Sequence, residues 1–130
     1  MRFTVIGGED VARRLARTEQ SLGGSEIMAA LMAAALPVQN RAKQLAPFRT
    51  GTLRRSIHME RVAGRTAVAV GTDMPYARRL EYGFAGVDSL GRRYHQAARP
   101  YMRPAIESER GAVIREFRAA LTDILRRAAR

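Results

Sequence analysis

Ala46-Pro47-Phe48-Arg49-Thr50-Gly51-Thr52-Leu53-Arg54-Arg55-Ser56-Ile57 is the stretch on which the fold turns. Upstream of it, Ser25 is a good helix N-cap, and Ile27, Leu31, Ala34, Val38, Ala42 and Leu45 recur at the three- and four-residue steps of one helix face. Pro37 interrupts this run, removing a hydrogen bond and crowding the preceding turn, so the segment is either one kinked helix or two short ones; the unbroken period favours the kink. Pro47 stops the helix, because the residue before a proline is pushed out of the α region. Gly51 then supplies a backbone conformation that other residues resist. Downstream, Thr52 to Val62 and Thr66 to Val70 flank Ala63-Gly64-Arg65, a loop of hairpin length. Leu53, Ile57 and Met59 share one parity of the first arm, as Val68 and Val70 do in the second, so each arm has a face turned to a core. The stretch is thus a corner between a long helix and an antiparallel hairpin.

Toward the N-terminus, Arg2 to Ile6 has the content of a short strand ended by Gly7-Gly8. Glu9 to Thr18 reads as a short helix, and Ser21 to Gly24 as a break. Toward the C-terminus, Gly71 to Pro75 turns the chain. Tyr76 to Tyr82 is either a helical turn or two, or a third strand. Phe84 to Ala98 has no usable period and reads as a long loop. Pro104 suits the first position of a helix in which Ile106, Val113, Phe117, Leu121 and Ile124 keep the period, with Glu107 and Glu109 near its start and Arg126, Arg127 and Arg130 at its end. The order α, β, α with antiparallel strands predicts an α+β fold: a small antiparallel sheet packed by a long central helix and a C-terminal helix. Residues 1–130 are read as one domain with a long loop at about 84–99.

At 130 residues and 46% hydrophobic content the chain can bury a core without a staple. It has no cysteine, which excludes disulfides and thiolate metal sites. Its longest apolar run, Ile27 to Leu36, is far below the roughly 20 residues that span a bilayer, and no basic segment leads into an apolar one; both point to a cytoplasmic protein without a membrane partner. The net charge of +11 rests almost wholly on arginine, Lys43 being the only lysine. Such a balance suits anionic partners, nucleic acid among them, but arginine forks equally suit protein interfaces. Among the methionines, Met28, Met59 and Met102 are expected in the core and Met74 at the surface.

Catalytic chemistry finds little purchase. Ser56 and His58 with Asp73 or Asp88 can be drawn as a triad, yet no nucleophile elbow or oxyanion loop accompanies them. His58 and His95 lack ligand spacing for a metal, Gly7-Gly8 and Gly23-Gly24 match no phosphate or dinucleotide fingerprint, and Glu107, Glu109 and Glu116 are spread along a helix. The expectation is a protein with no catalytic residue, metal or cofactor.

Four strings in order carry more: Ala46-Pro47-Phe48-Arg49-Thr50-Gly51, Leu53-Arg54-Arg55-Ser56-Ile57, Tyr76-Ala77-Arg78-Arg79-Leu80-Glu81-Tyr82-Gly83, and Arg99-Pro100-Tyr101-Met102-Arg103-Pro104-Ala105. Together they resemble the tail-completion (tail-terminator, head–tail joining) proteins of long-tailed bacteriophages and gene transfer agents. The resemblance implies a structural protein of the virion neck, assembled in the host cytoplasm. It would form a ring, a hexamer by preference over a twelve-fold adaptor, that stops the tail tube and meets the head-closure protein, with DNA passing through its channel. It implies that Pro47, Thr50, Gly51, Leu53, Ser56 and Ile57 set one corner, Tyr76, Ala77, Glu81 and Gly83 a second, and Pro100, Met102, Pro104 and Ala105 a third. Gly83-Phe84-Ala85 departs from the family pattern, which has Thr soon after Glu-x-Gly. Arg92, Arg93, Arg99 and Arg103 are candidate interface residues, and Arg99 or Arg103 the expected ion-pair partner of Glu81. A nucleic-acid-binding module and a small Ser56/His58 hydrolase are the readings from other classes.

Overall fold

The computed structural model describes residues 1–7 and 24–129; the helix expected over Glu9 to Thr18 and most of the following break lie outside the described residues. In chain order the elements are β1 (Arg2–Gly7), α1 (Gly24–Leu45), α2 (Thr52–Ser56), β2 (His58–Arg61), β3 (Ala67–Gly71), α3 (Ala77–Tyr82), β4 (Phe84–Val87), β5 (Arg93–Gln96) and α4 (Met102–Ala128). The fold is α+β, with small antiparallel sheets and two long helices.

Helix α1 runs unbroken through Pro37, because the apolar stripe on both sides of the proline is held by the same core. Ile27, Leu31, Ala34, Val38 and Ala42 are all buried. One face lies on the three-stranded sheet, ordered β1-β3-β2, and α4 packs along the helix. Alanines at 30, 34, 35 and 42 let the backbones approach closely. Strand β3 is central, with Val68 pairing Ile6 on one side and Arg61 on the other, and every residue in it is buried. Leu53, Ile57, Val68, Val70, Tyr101, Met102 and Ala105 complete the core around α1. Met28 and Met102 are buried and Met59 packs against the core, as expected; Met74 does too, contrary to its expected exposure.

Two segments differ from the sequence reading. The first arm of the hairpin is shorter than predicted, because Thr52–Ser56 forms α2 and only His58–Arg61 is strand. Gly51 precedes that turn with φ +82°, in the left-handed region where glycine meets no Cβ penalty. The second is Phe84 to Ala98, which is not an irregular loop. It contains a β-hairpin pairing Phe84 with Gln96 and Val87 with Arg93. Tyr76 to Tyr82 resolves as the helical alternative.

Candidate functional site

Glu81 lies on α3, 3% exposed, and its carboxylate faces the first turn of α4. Oε2 accepts the backbone N–H groups of Tyr101 (2.8 Å) and Met102 (2.9 Å), and Oε1 accepts that of Arg103 (2.9 Å). An α-helix begins with four N–H groups that have no intrahelical partner. Here the Tyr101 carbonyl accepts the first helical bond, from Ala105, so the four are those of residues 101–104. Three are taken by Glu81, and the fourth does not exist because residue 104 is proline. The negative charge also sits where the helix dipole favours it. The ion pair expected between Glu81 and the Arg99 or Arg103 guanidinium is therefore absent: a fixed cradle of three N–H donors satisfies the carboxylate, and both arginine side chains remain exposed.

The same junction ties the motif strings to one another. The Tyr101 hydroxyl, fully buried, donates to the Ala77 carbonyl at 3.3 Å, and the Arg99 N–H donates to the Leu80 carbonyl at 2.7 Å. Burial, and then the charge of Glu81, push the Tyr101 phenol above its ordinary range. On the other side, the Met74 N–H donates to Thr72 Oγ1 (3.1 Å), Thr72 and Ser56 share a bond of 2.6 Å, and Ser56 Oγ donates to the Leu53 carbonyl (2.6 Å). His58 Nδ1 lies 2.8 Å from the Ser56 carbonyl oxygen. The Ser56 hydroxyl thus joins α2 to the end of β3, and its hydrogen bonds are to Leu53 and Thr72 rather than to His58.

Around this buried hub lies an open groove of about 660 Å³, lined by Phe48, Arg49, Leu53, Tyr76, Leu80 and Arg99 among others. Pro47, Thr50 and Gly51 line it too, while Pro100 is exposed and Pro104 half-buried. Arg54 stacks over the Phe48 ring at 4.9 Å, Arg78 over Tyr82 at 5.8 Å and Arg79 over Phe84 at 4.1 Å. Guanidinium planes on rings are worth roughly 0.5–1 kcal/mol each at exposed sites and hold the arginines in place.

Beyond Gly83 the β4–β5 hairpin stands out from the body, neither strand packing extensively on another element. Its turn is built on Asp88. The carboxylate accepts the N–H groups of Leu90 (2.9 Å) and Arg92 (2.8 Å), Arg92 Nε (2.6 Å) and the Tyr94 hydroxyl (3.1 Å). Desolvation works to raise the Asp88 pKa, but the bonds from Arg92, Tyr94 and Leu90 outweigh it and hold the group below its ordinary value. Gly91, at φ +78°, closes the turn by donating to the Asp88 carbonyl. Asp first and Gly fourth in Asp88-Ser89-Leu90-Gly91 is the pattern of a type I turn, the signal by which the hairpin was legible. Arg92 is committed to Asp88, whereas Arg93 makes no ion pair among the described residues.

Among the described residues there is no group of three or more acidic, histidine or cysteine side chains that could hold a metal ion, and no helix long and apolar enough to cross a membrane. No curated protein and no solved structure matches the chain. Residues 9–83 match the family described as "Bacteriophage HK97-gp10, putative tail-component". The match takes in the corner at Gly51 and the whole of α3 with Glu81, and it covers more than half of the sequence; the chain belongs to the HK97-gp10-like family of bacteriophage tail components.

Proposed function

We propose that this tail component is a ring-forming tail-completion protein of a phage or gene transfer agent. It caps the head-proximal end of the tail tube as a hexamer and presents its other side to the head-closure protein. In this reading it has no enzymatic role, assembles in the host cytoplasm and ends in the particle neck. The observation that carries it is the β4–β5 hairpin. Val87, Leu90 and Tyr94 are 62, 75 and 45% exposed on an arm that finds little of its own subunit to pack on. An arm that reaches away from its own body suits a head-to-tail contact, which closes into a ring when the rotation permits. Exposed aliphatic and aromatic groups beside Arg93 are the composition of an interface core and rim.

The charge of +11 supports a second reading, in which exposed arginines face DNA in the channel. The two are separable. Electron microscopy of the purified protein and of particles shows rings under the first, and retention on DNA with a steep salt slope is expected under the second. A protein that stays monomeric at every concentration and is absent from the neck would contradict the ring.

A further inference from the structure

The groove beside the Gly51 corner combines features that select a partner. Its walls are apolar: Phe48 is 64% and Tyr76 41% exposed, and the partly buried Met74 and Leu80 lie between them. Its edges carry Arg49 and Arg99, both exposed and neither in an ion pair among the described residues. No acid lines it. The one acid of the motif, Glu81, is turned inward onto α4 and cannot neutralise the guanidinium groups. The Phe48 ring is held from one side by Arg54, whose Nε is buried without a hydrogen-bond partner, so the wall is a prearranged surface.

We propose that this groove docks a short acidic segment of a different virion protein, with one apolar side chain seated between Phe48 and Tyr76 and flanking carboxylates forked by Arg49 and Arg99. The proposal rests on the neck reading for the setting but on the groove alone for the chemistry. Tyrosine and arginine around a desolvated pocket are the usual anchors of binding energy, and the guanidinium fork matches a carboxylate bidentately. Nucleic acid fits less well, because aliphatic Leu80 and Met74 offer no stacking platform and two guanidinium groups make no phosphate track. A second copy of this chain also fits less well. Among its described acids, Glu60 and Asp73 bind Arg2, Asp88 binds Arg92 and Asp123 binds Arg127. Glu26, Glu107, Glu109 and Glu116 lie within long helices that cannot enter as an extended segment.

Replacing Phe48 by the photoreactive p-benzoylphenylalanine in assembled particles, followed by irradiation and mass spectrometry of the cross-linked peptide, tests this. The expected product joins residue 48 to an acidic, apolar-anchored segment of another virion protein, with the yield falling about tenfold in an Arg49→Gln, Arg99→Gln variant, as for the loss of one charge-assisted contact. Cross-links to DNA, to a second copy, or to a segment without acids would overturn the proposal, as would an unchanged yield in the double variant. An acidic segment belonging to a capsid-shell protein would keep the groove's chemistry and refute the neck location instead.

Discussion

Replacing Glu81 by glutamine exchanges one of two oxygens for an amide that cannot accept. With its remaining oxygen at the Oε2 position, the glutamine keeps the bonds to Tyr101 and Met102 but loses their charge assistance, about 1 kcal/mol apiece, and leaves the Arg103 N–H facing another donor, costing about 1–3 kcal/mol. The sum is roughly 3–5 kcal/mol, a large share of the 5–15 kcal/mol by which a domain is ordinarily stable. For a chain of this length that lowers the midpoint of thermal unfolding by roughly 10–20 °C. Differential scanning calorimetry or circular dichroism reads it directly. Arg99→Ala and Arg103→Ala are the informative controls. Because Glu81 binds backbone and not guanidinium, each should change stability by less than about 0.5 kcal/mol. A Glu81→Gln protein melting within a degree or two of the parent would refute the cap. So would an Arg103→Ala variant with the full loss of Glu81→Gln and no further loss when combined with it.

Further outcomes follow from neighbouring features. Gly51→Val should destabilise by about 1–3 kcal/mol, because φ +82° is strained for a β-branched residue and the new Cβ would sit 2.8 Å from Arg55 Nη1 and 3.0 Å from Phe48 Cε2; an unchanged melting temperature would remove the corner argument. Trypsin should cut free subunits first at Arg92 and Arg93 and spare them in particles, whereas equal protection in both would count against an interface role for the hairpin. Asp88, Glu60 and Asp73 all have folded pKa values below their unfolded ones, Glu60 and Asp73 chiefly through hydrogen bonds from Arg2. The order they lend is complete above the ordinary carboxylate range near pH 4 and is lost as pH falls through their lowered values. Carboxyl titration by NMR should place Asp88 below that range, and Asp88→Asn should loosen the hairpin at neutral pH.

What the sequence made legible depended on whether local spacing had one meaning. Helices α1 and α4 were legible because ten or more apolar positions kept one period with polar residues opposite. The Thr52–Ser56 turn was not, since Leu53 and Ile57 are four apart, a spacing that fits a helix step and a strand parity equally. The hairpin escaped because both its faces are largely solvated, so no alternation marks it; only the Asp-to-Gly turn pattern did. Glu81 was correctly singled out as buried, but its partner lies twenty and more residues away in sequence, at a helix end. One sign was present: Arg99-Pro100-Tyr101 contains no capping side chain, so the helix that follows needed its cap from elsewhere.

The central claim is a closed ring at the junction of tail and head, and a reconstruction of the neck in purified particles tests it most directly. The expected density holds six copies around the channel at the head-proximal end of the tail tube, with the β4–β5 hairpin of each copy on its neighbour. One isolated copy per particle, or density in the capsid shell, would contradict it.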